Sequence, residues 1–276
     1  MNFFSNIFRA VSNSYPALKL RDLLDLWPSP FYPCMSESVS DLFLWRVDDV
    51  WETYFDLFHI AGVINPNFND QYDVLIYIYD LNGVLINTEI FSIKFGEVKL
   101  LKLKDFLCGH IGYGTFAIFH MVDNNSLLNG LSCISERGYT SFRRSDNRSL
   151  LRSYVHGNLP VIGMNQHTRQ VRVLGLRSVS RKFFYKPQVT FHDCSKFEIC
   201  VVNPVSQAIF FLLELVDVHG KPIEVIENTL LEKGSFCFSS GDSHKSVHSI
   251  NITSQVRILR PLIFKYYQSH FDVFHA

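Results

Sequence analysis

The sequence predicts a mostly β protein: two tandem antiparallel β-sandwiches related by internal duplication, with a short helical segment at the N-terminus. Three observations predict it. Short runs rich in β-branched and aromatic residues recur between turn residues, the pattern of sandwich strands. One such run, from Tyr72 to Phe91, reads as two strands joined at Asp80-Leu-Asn-Gly83. A second, from Ile209 to Ile226, repeats that order around Asp217-Val-His-Gly220.

In the first run both alternating sets, Val74/Ile76/Ile78 and Leu75/Tyr77/Tyr79, are apolar, which predicts a central strand covered on both faces. Asn82-Gly83 is a hairpin signal because both residues tolerate positive φ, and His219 stands where Asn82 does. The turn residues keep step along the chain. Asp80 and Asp217 are 137 apart, as are Gly83 and Gly220; Asn65-Pro66 and Asn203-Pro204 are 138 apart, as are Gly96 and Gly234. The expected core includes Val74, Ile76, Ile78, Phe211, Leu213 and Leu215, joined by Trp51, Tyr54, Phe55 and Phe58.

Taken in order, residues 1–35 form a helical appendage, 36–135 a first sandwich, 136–187 a basic connector and 188–276 a second sandwich. In the appendage Leu20, Leu23, Leu24 and Trp27 fall on one helical stripe, which Pro28, Pro30 and Pro33 end. That helix packs on a sandwich edge or meets a protein partner; Phe3, Phe4 and Phe8 keep a membrane-surface role open. The second sandwich takes strands at 189–191, 197–202, 208–216, 222–231, 235–238, 247–252 and 256–266, with 271–275 closing it. Arg260-Pro261 inside an apolar run marks an edge strand or a bulge.

Composition narrows the class. With 276 residues, 47% apolar and 25 Phe, the chain can fill two cores. A formal net charge of zero argues against a nucleic-acid coat, so nucleic acid ranks below other anions as a partner. No apolar run is long enough to span a membrane, and no export signal precedes the first strands. The six cysteines, Cys34, Cys108, Cys133, Cys194, Cys200 and Cys237, follow neither a disulfide framework nor a zinc spacing. They read as free thiols in a reducing, cytoplasmic setting. The His244/His248 pair and His192-Asp-Cys194 lack the repeated spacing of a metal site, so no metal and no cofactor is expected. No G-x-S-x-G or catalytic-cysteine pattern occurs, and the glycines at 109, 112 and 114 lack the context of a phosphate loop.

Charge is gathered in one place. Between Arg137 and Lys186 lie 11 cations, nine of them arginine, against a single acid, Asp146. The rest of the chain is acidic. Arginine forks hold phosphate, sulfate or carboxylate through paired hydrogen bonds, and interleaved aromatics can stack on a sugar or a base. The expected ligand-binding residues are therefore Arg137, Tyr139, Arg143, Arg144, Arg152, Tyr154, His156 and Asn158. The expected function is a non-enzymatic binding or scaffolding protein whose ligand is an anionic glycan or a phosphorylated molecule. The alternatives are an enzyme on such substrates, with Glu136 and His156 as acid–base groups at the domain junction, and arginines that only pair with the acidic lobes.

Overall fold

The computed structural model describes residues 37–122, 135–136, 138–145, 151–157, 160–174, 182–241, 244–256 and 260–276, with positions 16, 17 and 20 besides. The N-terminal appendage therefore lies almost wholly outside the described residues, as do Arg137 and Asn158 of the expected site.

The described chain is mostly β, arranged in five four-stranded sheets. Sheet A holds β1 (Glu37–Asp41), β8 (Ser135–Glu136), β11 (Pro160–Asn165) and β12 (Val171–Val173) in the order β12-β11-β1-β8. It is antiparallel except for β1 against β8, which run parallel. Sheet B is β2-β7-β4-β5, from β2 (Phe43–Val47), β4 (Tyr72–Tyr79), β5 (Leu85–Ile93) and β7 (Gly112–His120). Sheet C is β10-β9-β3-β6, from β3 (Trp51–Phe58), β6 (Val98–Lys102), β9 (Tyr139–Arg144) and β10 (Ser153–His156). Sheet D is β13-β18-β15-β16, from β13 (Phe183–Tyr185), β15 (Ile209–Val216), β16 (Pro222–Leu230) and β18 (Ser249–Ser254). Sheet E is β17-β14-β19-β20, from β14 (Lys196–Val202), β17 (Ser235–Ser239), β19 (Leu262–Tyr266) and β20 (Phe271–His275). One short helix, α1 (Ile60–Ile64), follows β3, its first turn capped by the His59 imidazole accepting from the Gly62 amide.

Sheets B and C enclose one core, in which Phe43 packs on Phe55 and Phe116 among Val74, Ile76 and Ile78. Sheets D and E enclose another, with Phe211, Leu213 and Leu215 at its centre. The two sheet pairs share one strand order: β2-β7-β4-β5 matches β13-β18-β15-β16, and β10-β9-β3-β6 matches β20-β19-β14-β17. Strands β4, β5 and β6 begin and end 137 residues before β15, β16 and β17.

The two hairpin loops have the same internal chemistry. Asp80 Oδ1 accepts from the amides of Asn82 and Val84, and Asp217 Oδ1 from those of His219 and Lys221. Each carboxylate thus holds a turn that ends in a left-handed glycine, Gly83 at φ 79° and Gly220 at φ 78°, and leaves a bulge in the strand before it. Asn82 and His219 keep negative φ, so the turn is not the two-residue type that Asn-Gly suggests; the aspartate cap selects the longer loop. The next turn corrects one pairing of glycines. Residues 94–97 and 231–234 close through the same backbone bond, Glu97 N to Lys94 O and Gly234 N to Leu231 O. Its left-handed position is Gly96 in one and Lys233 in the other, so Gly96 matches Lys233 rather than Gly234.

A third core joins the pairs. Here the expectation that β4 is covered on both faces holds: Leu75, Tyr77 and Tyr79 are buried on the side away from Val74, Ile76 and Ile78. Trp51 meets Phe264, Tyr266 and Phe271 edge-on at 5.3, 5.9 and 4.9 Å. Phe142 adds an edge contact with Phe264 at 5.1 Å. Across this apolar seam runs an ion pair, Arg46 with Glu198, whose side chains are 15% and 3% exposed. The Arg46 guanidinium also lies over the rings of Trp51 and Phe264. Burial alone raises the Glu198 carboxyl, but the hydrogen bond and charge of Arg46 win and hold it below its ordinary value. The first hairpin reaches the same seam, where Leu81 O accepts from Ser235 N at 2.9 Å and Lys233 lies over the Tyr79 ring.

Several expected elements move. Phe58 is 40% exposed rather than core, because it falls on the outward alternation of β3. Residues 189–191 are not a strand, and 183–185 are. Pro261 precedes β19 instead of interrupting it, so no ladder bond is lost. Cys200 and Cys237, directly opposed across β14 and β17, form a disulfide rather than two free thiols. That pairing removes the thiol count as an argument for a reducing setting. Residues 139–144 and 153–156, expected in a connector, are strands of sheet C.

Two outcomes follow for stability. Gly220→Ala is expected to cost about 1–2 kcal/mol, the left-handed penalty alone. Gly83→Ala should cost clearly more, since its Cβ would run into the Glu232 carbonyl oxygen, whereas a Cβ at Gly220 would meet nothing within 4 Å beyond its chain neighbours. Equal losses in urea unfolding would contradict this. Arg46→Ala is expected to lose about 3–5 kcal/mol by stranding a buried carboxylate, and Arg46→Met combined with Glu198→Leu to recover most of it. Chemical unfolding of the single and double variants checks the sign.

Candidate ligand-binding face

The outward face of sheet C gathers much of the expected site. Alternation on β3 turns Glu52, Tyr54, Asp56 and Phe58 away from the core, and cross-strand register sets Arg143 opposite Glu52 and Ser141 opposite Tyr54. On the far side of β9, Tyr154 faces Ser141 and His156 faces Tyr139.

The result is a stack of alternating cations and rings. Arg143 and Arg152 lie over the Tyr54 ring at 5.3 and 5.4 Å, and Arg152 also lies over Tyr154 at 5.4 Å. Each such contact contributes about 0.5–1 kcal/mol when solvent-exposed. Tyr139 and His156 add a second ring pair at 4.2 Å. Tyr139 and Tyr154 remain 44% and 47% exposed, so their faces are open to a ligand.

Carboxylates hold part of this charge. Glu52 accepts from Arg143 through Nε at 3.0 Å and through Nη2, from Lys102 Nζ at 2.7 Å, and from the Tyr54 hydroxyl at 2.7 Å. Burial raises the Glu52 carboxyl, but its hydrogen bonds from Lys102, Tyr54 and Arg143 outweigh that and bring it down to about 2. Arg152 is looser, 3.8 Å from Asp56 and 3.5 Å from Ser141 Oγ. Arg143 is therefore fixed in place while Arg152 keeps hydrogen-bonding capacity for a ligand.

Arg144 lies over Trp51 and Tyr266 at the seam between the sheet pairs. Arg172 pairs with Glu37 in two parallel bonds of 2.6 and 2.9 Å. His156 is exposed, and its carbonyl accepts from His275 Nε2 at 2.9 Å. Glu136 belongs to β8 of sheet A, a different sheet from His156. A small cavity lies between sheets C and E, lined by Thr140, Phe142, Val155, Cys200 and His275 among others. Among the described residues no cluster of three or more His, Cys, Asp or Glu is arranged to hold a metal, and no helix is long and apolar enough to cross a membrane. Sequence reasoning did not bring Glu52 and Lys102 to this face and assigned Tyr54, which is buried, to the core alone; their placement beside the arginines follows only once β3 is paired with β6 and β9.

No protein-family model and no curated protein matches the chain. Among solved structures, a beta-glucuronidase from glycoside hydrolase family 2 aligns at 9% identity with a TM-score of 0.16. The alignment covers 85% of this chain and 23% of that one, and a likeness this low carries no argument about fold or function.

The Glu52 network makes stability pH-dependent. Its folded carboxyl titrates at about 2 against an ordinary 4.5, so its contribution is complete above pH 4.5 and is lost as pH falls toward 2. Glu52→Gln is expected to flatten that part of the acid limb, measured as unfolding midpoint against pH. An unchanged slope between those values would contradict the assignment.

Proposed function

We propose that the chain is a non-enzymatic binding or scaffolding protein, built from two tandem copies of one sandwich, that holds an anionic glycan or a phosphorylated ligand on the outward face of sheet C. The observation that carries this is the Arg143–Tyr54–Arg152–Tyr154 stack on an open sheet face. Exposed rings offer a stacking platform for a sugar, and a guanidinium beside them meets its sulfate, carboxylate or phosphate. In this reading Arg152, Tyr154, Tyr139 and His156 contact the ligand, and Arg143, clamped by Glu52, sets the position of the stack. The matched strand orders and the 137-residue spacing of three of the matched strands support the duplication.

Binding is tested by retention on immobilised heparin. Wild-type protein should elute later than Arg152→Ala/Tyr154→Ala, and its affinity should fall steeply with salt, since released counterions set the slope. Identical elution of the two proteins would remove the proposal; Arg172→Ala, on another sheet and paired with Glu37, serves as the charge-matched control.

A further inference from the structure

The face of sheet C opposite the arginine–tyrosine stack carries a polar group that the fold leaves unused. Thr140 on β9 lies directly across from Val155 on β10, on the side turned toward sheet E. It is 1% exposed, and its Oγ1 is buried without a hydrogen-bond partner. Sheet E presents a matching group. Cys200, Leu262 and His275 stand side by side across β14, β19 and β20, so all three point to the seam. His275 Nε2 donates to the His156 carbonyl at 2.9 Å, which bridges β20 to β10 and leaves Nδ1 with its lone pair. That Nδ1 is also buried without a hydrogen-bond partner. Buried polar atoms are almost always paired, so two such atoms at one space call for an occupant.

Both residues line the cavity between sheets C and E. Leu44, Val155, Val202 and Leu262 give it apolar walls, and Arg260, just before β19, completes the lining. Arg260 is half-buried and forms no ion pair among the described residues. The enclosed part is little larger than a water molecule and the rest opens to solvent, so only a compact polar head enters. The three groups specify that head. Nδ1 needs a donor, the Arg260 guanidinium needs an acceptor, and the Thr140 hydroxyl takes either role. A protonated carboxyl group offers both on adjacent oxygens, and once its proton crosses to Nδ1 the pair is a carboxylate against a histidinium. The charged and titratable groups that face His275 are Arg260 and His156; Cys200 is held in its disulfide. Burial above all, helped by the charge of Arg260, pushes the imidazole below its ordinary value, while the His156 and Pro261 carbonyls favour its charged form. The balance keeps the ring neutral at neutral pH until an anion lies beside it.

We infer that this cavity binds the carboxyl group of a small aliphatic acid, with Arg260 and Thr140 on its oxygens and one proton held between it and His275. A ligand that arrives as a carboxylate brings that proton in from solution, and its tail leaves through the mouth. The site stands apart from the anion-binding proposal. It lies on the other face of sheet C, and it uses the carbonyl of His156 but none of the side chains of the stack.

Acetate titrated into the full chain at constant ionic strength, followed by the ring nitrogen signals of His275, tests it. Nδ1 should shift as the ligand saturates, and the apparent pKa of His275 should rise. Above that pKa the affinity for acetate should fall about tenfold per pH unit, because one proton enters with each ligand. Arg260→Gln should weaken acetate about tenfold and Thr140→Val about threefold, the sizes of a charge-assisted and a neutral hydrogen bond. Thr140→Val should unfold no more readily than the wild type, since its hydroxyl has no partner to lose. Arg152→Ala/Tyr154→Ala should bind acetate like the wild type, so acetate binding and heparin retention fail independently. A His275 pKa unmoved by acetate overturns the inference, as does an affinity independent of pH or an equal response to chloride. Should the variants not fold, the wild-type titration and its pH profile decide alone.

Discussion

The pairing of Arg46 with Glu198 is the constraint on which the arrangement of the two sheet pairs depends. An apolar seam by itself is forgiving, since rings such as Trp51 and Phe264 can slide while staying buried. A buried guanidinium and carboxylate cannot slide, because losing either partner leaves a desolvated charge. Arg46 sits on β2 and Glu198 on β14, so the pair joins sheet B to sheet E across 152 residues of sequence. Lys196 and Ser239 complete the shell around Glu198, and Tyr266 reaches Arg46 at 3.4 Å. With that register set, Trp51 receives three aromatic rings and the first hairpin meets the turn before β17.

The seam also explains why topologically matching faces differ. Sheet E turns its outer face inward against the first pair, and its residues there are apolar with one paired acid. Sheet C turns the matching face outward and carries tyrosines, arginines and carboxylates. The same ladder geometry thus yields a buried contact in one place and an exposed, charged and aromatic surface in the other. Glu52 illustrates the second outcome: four hydrogen bonds from three side chains hold it ionised far into acid, and in doing so hold Arg143 over Tyr54. The face is therefore ordered by its own ion pairs.

Much of the strand plan was legible in the sequence. The hairpins at Asp80–Gly83 and Asp217–Gly220 were visible because an acid, a glycine and flanking apolar alternation are all local signals. Their turn type was not, because a choice between two loops depended on which amides the aspartate oxygen captured. The site was half legible. A cluster of arginines pointed to β9 and β10, yet which arginine was clamped by an acid depended on residues about 90 positions away.

What the sequence by itself determined is the β character, the positions of the turns and the 137-residue spacing of its two matching hairpins, since these follow from side-chain period and backbone preference within a few residues. What only the tertiary structure decided is which faces are buried. Alternation tells a strand that it has two sides, but not what will cover either one. That is why Phe58 lies exposed, why Cys200 finds Cys237, and why Arg46, outside the basic cluster, became the cation that joins the two halves.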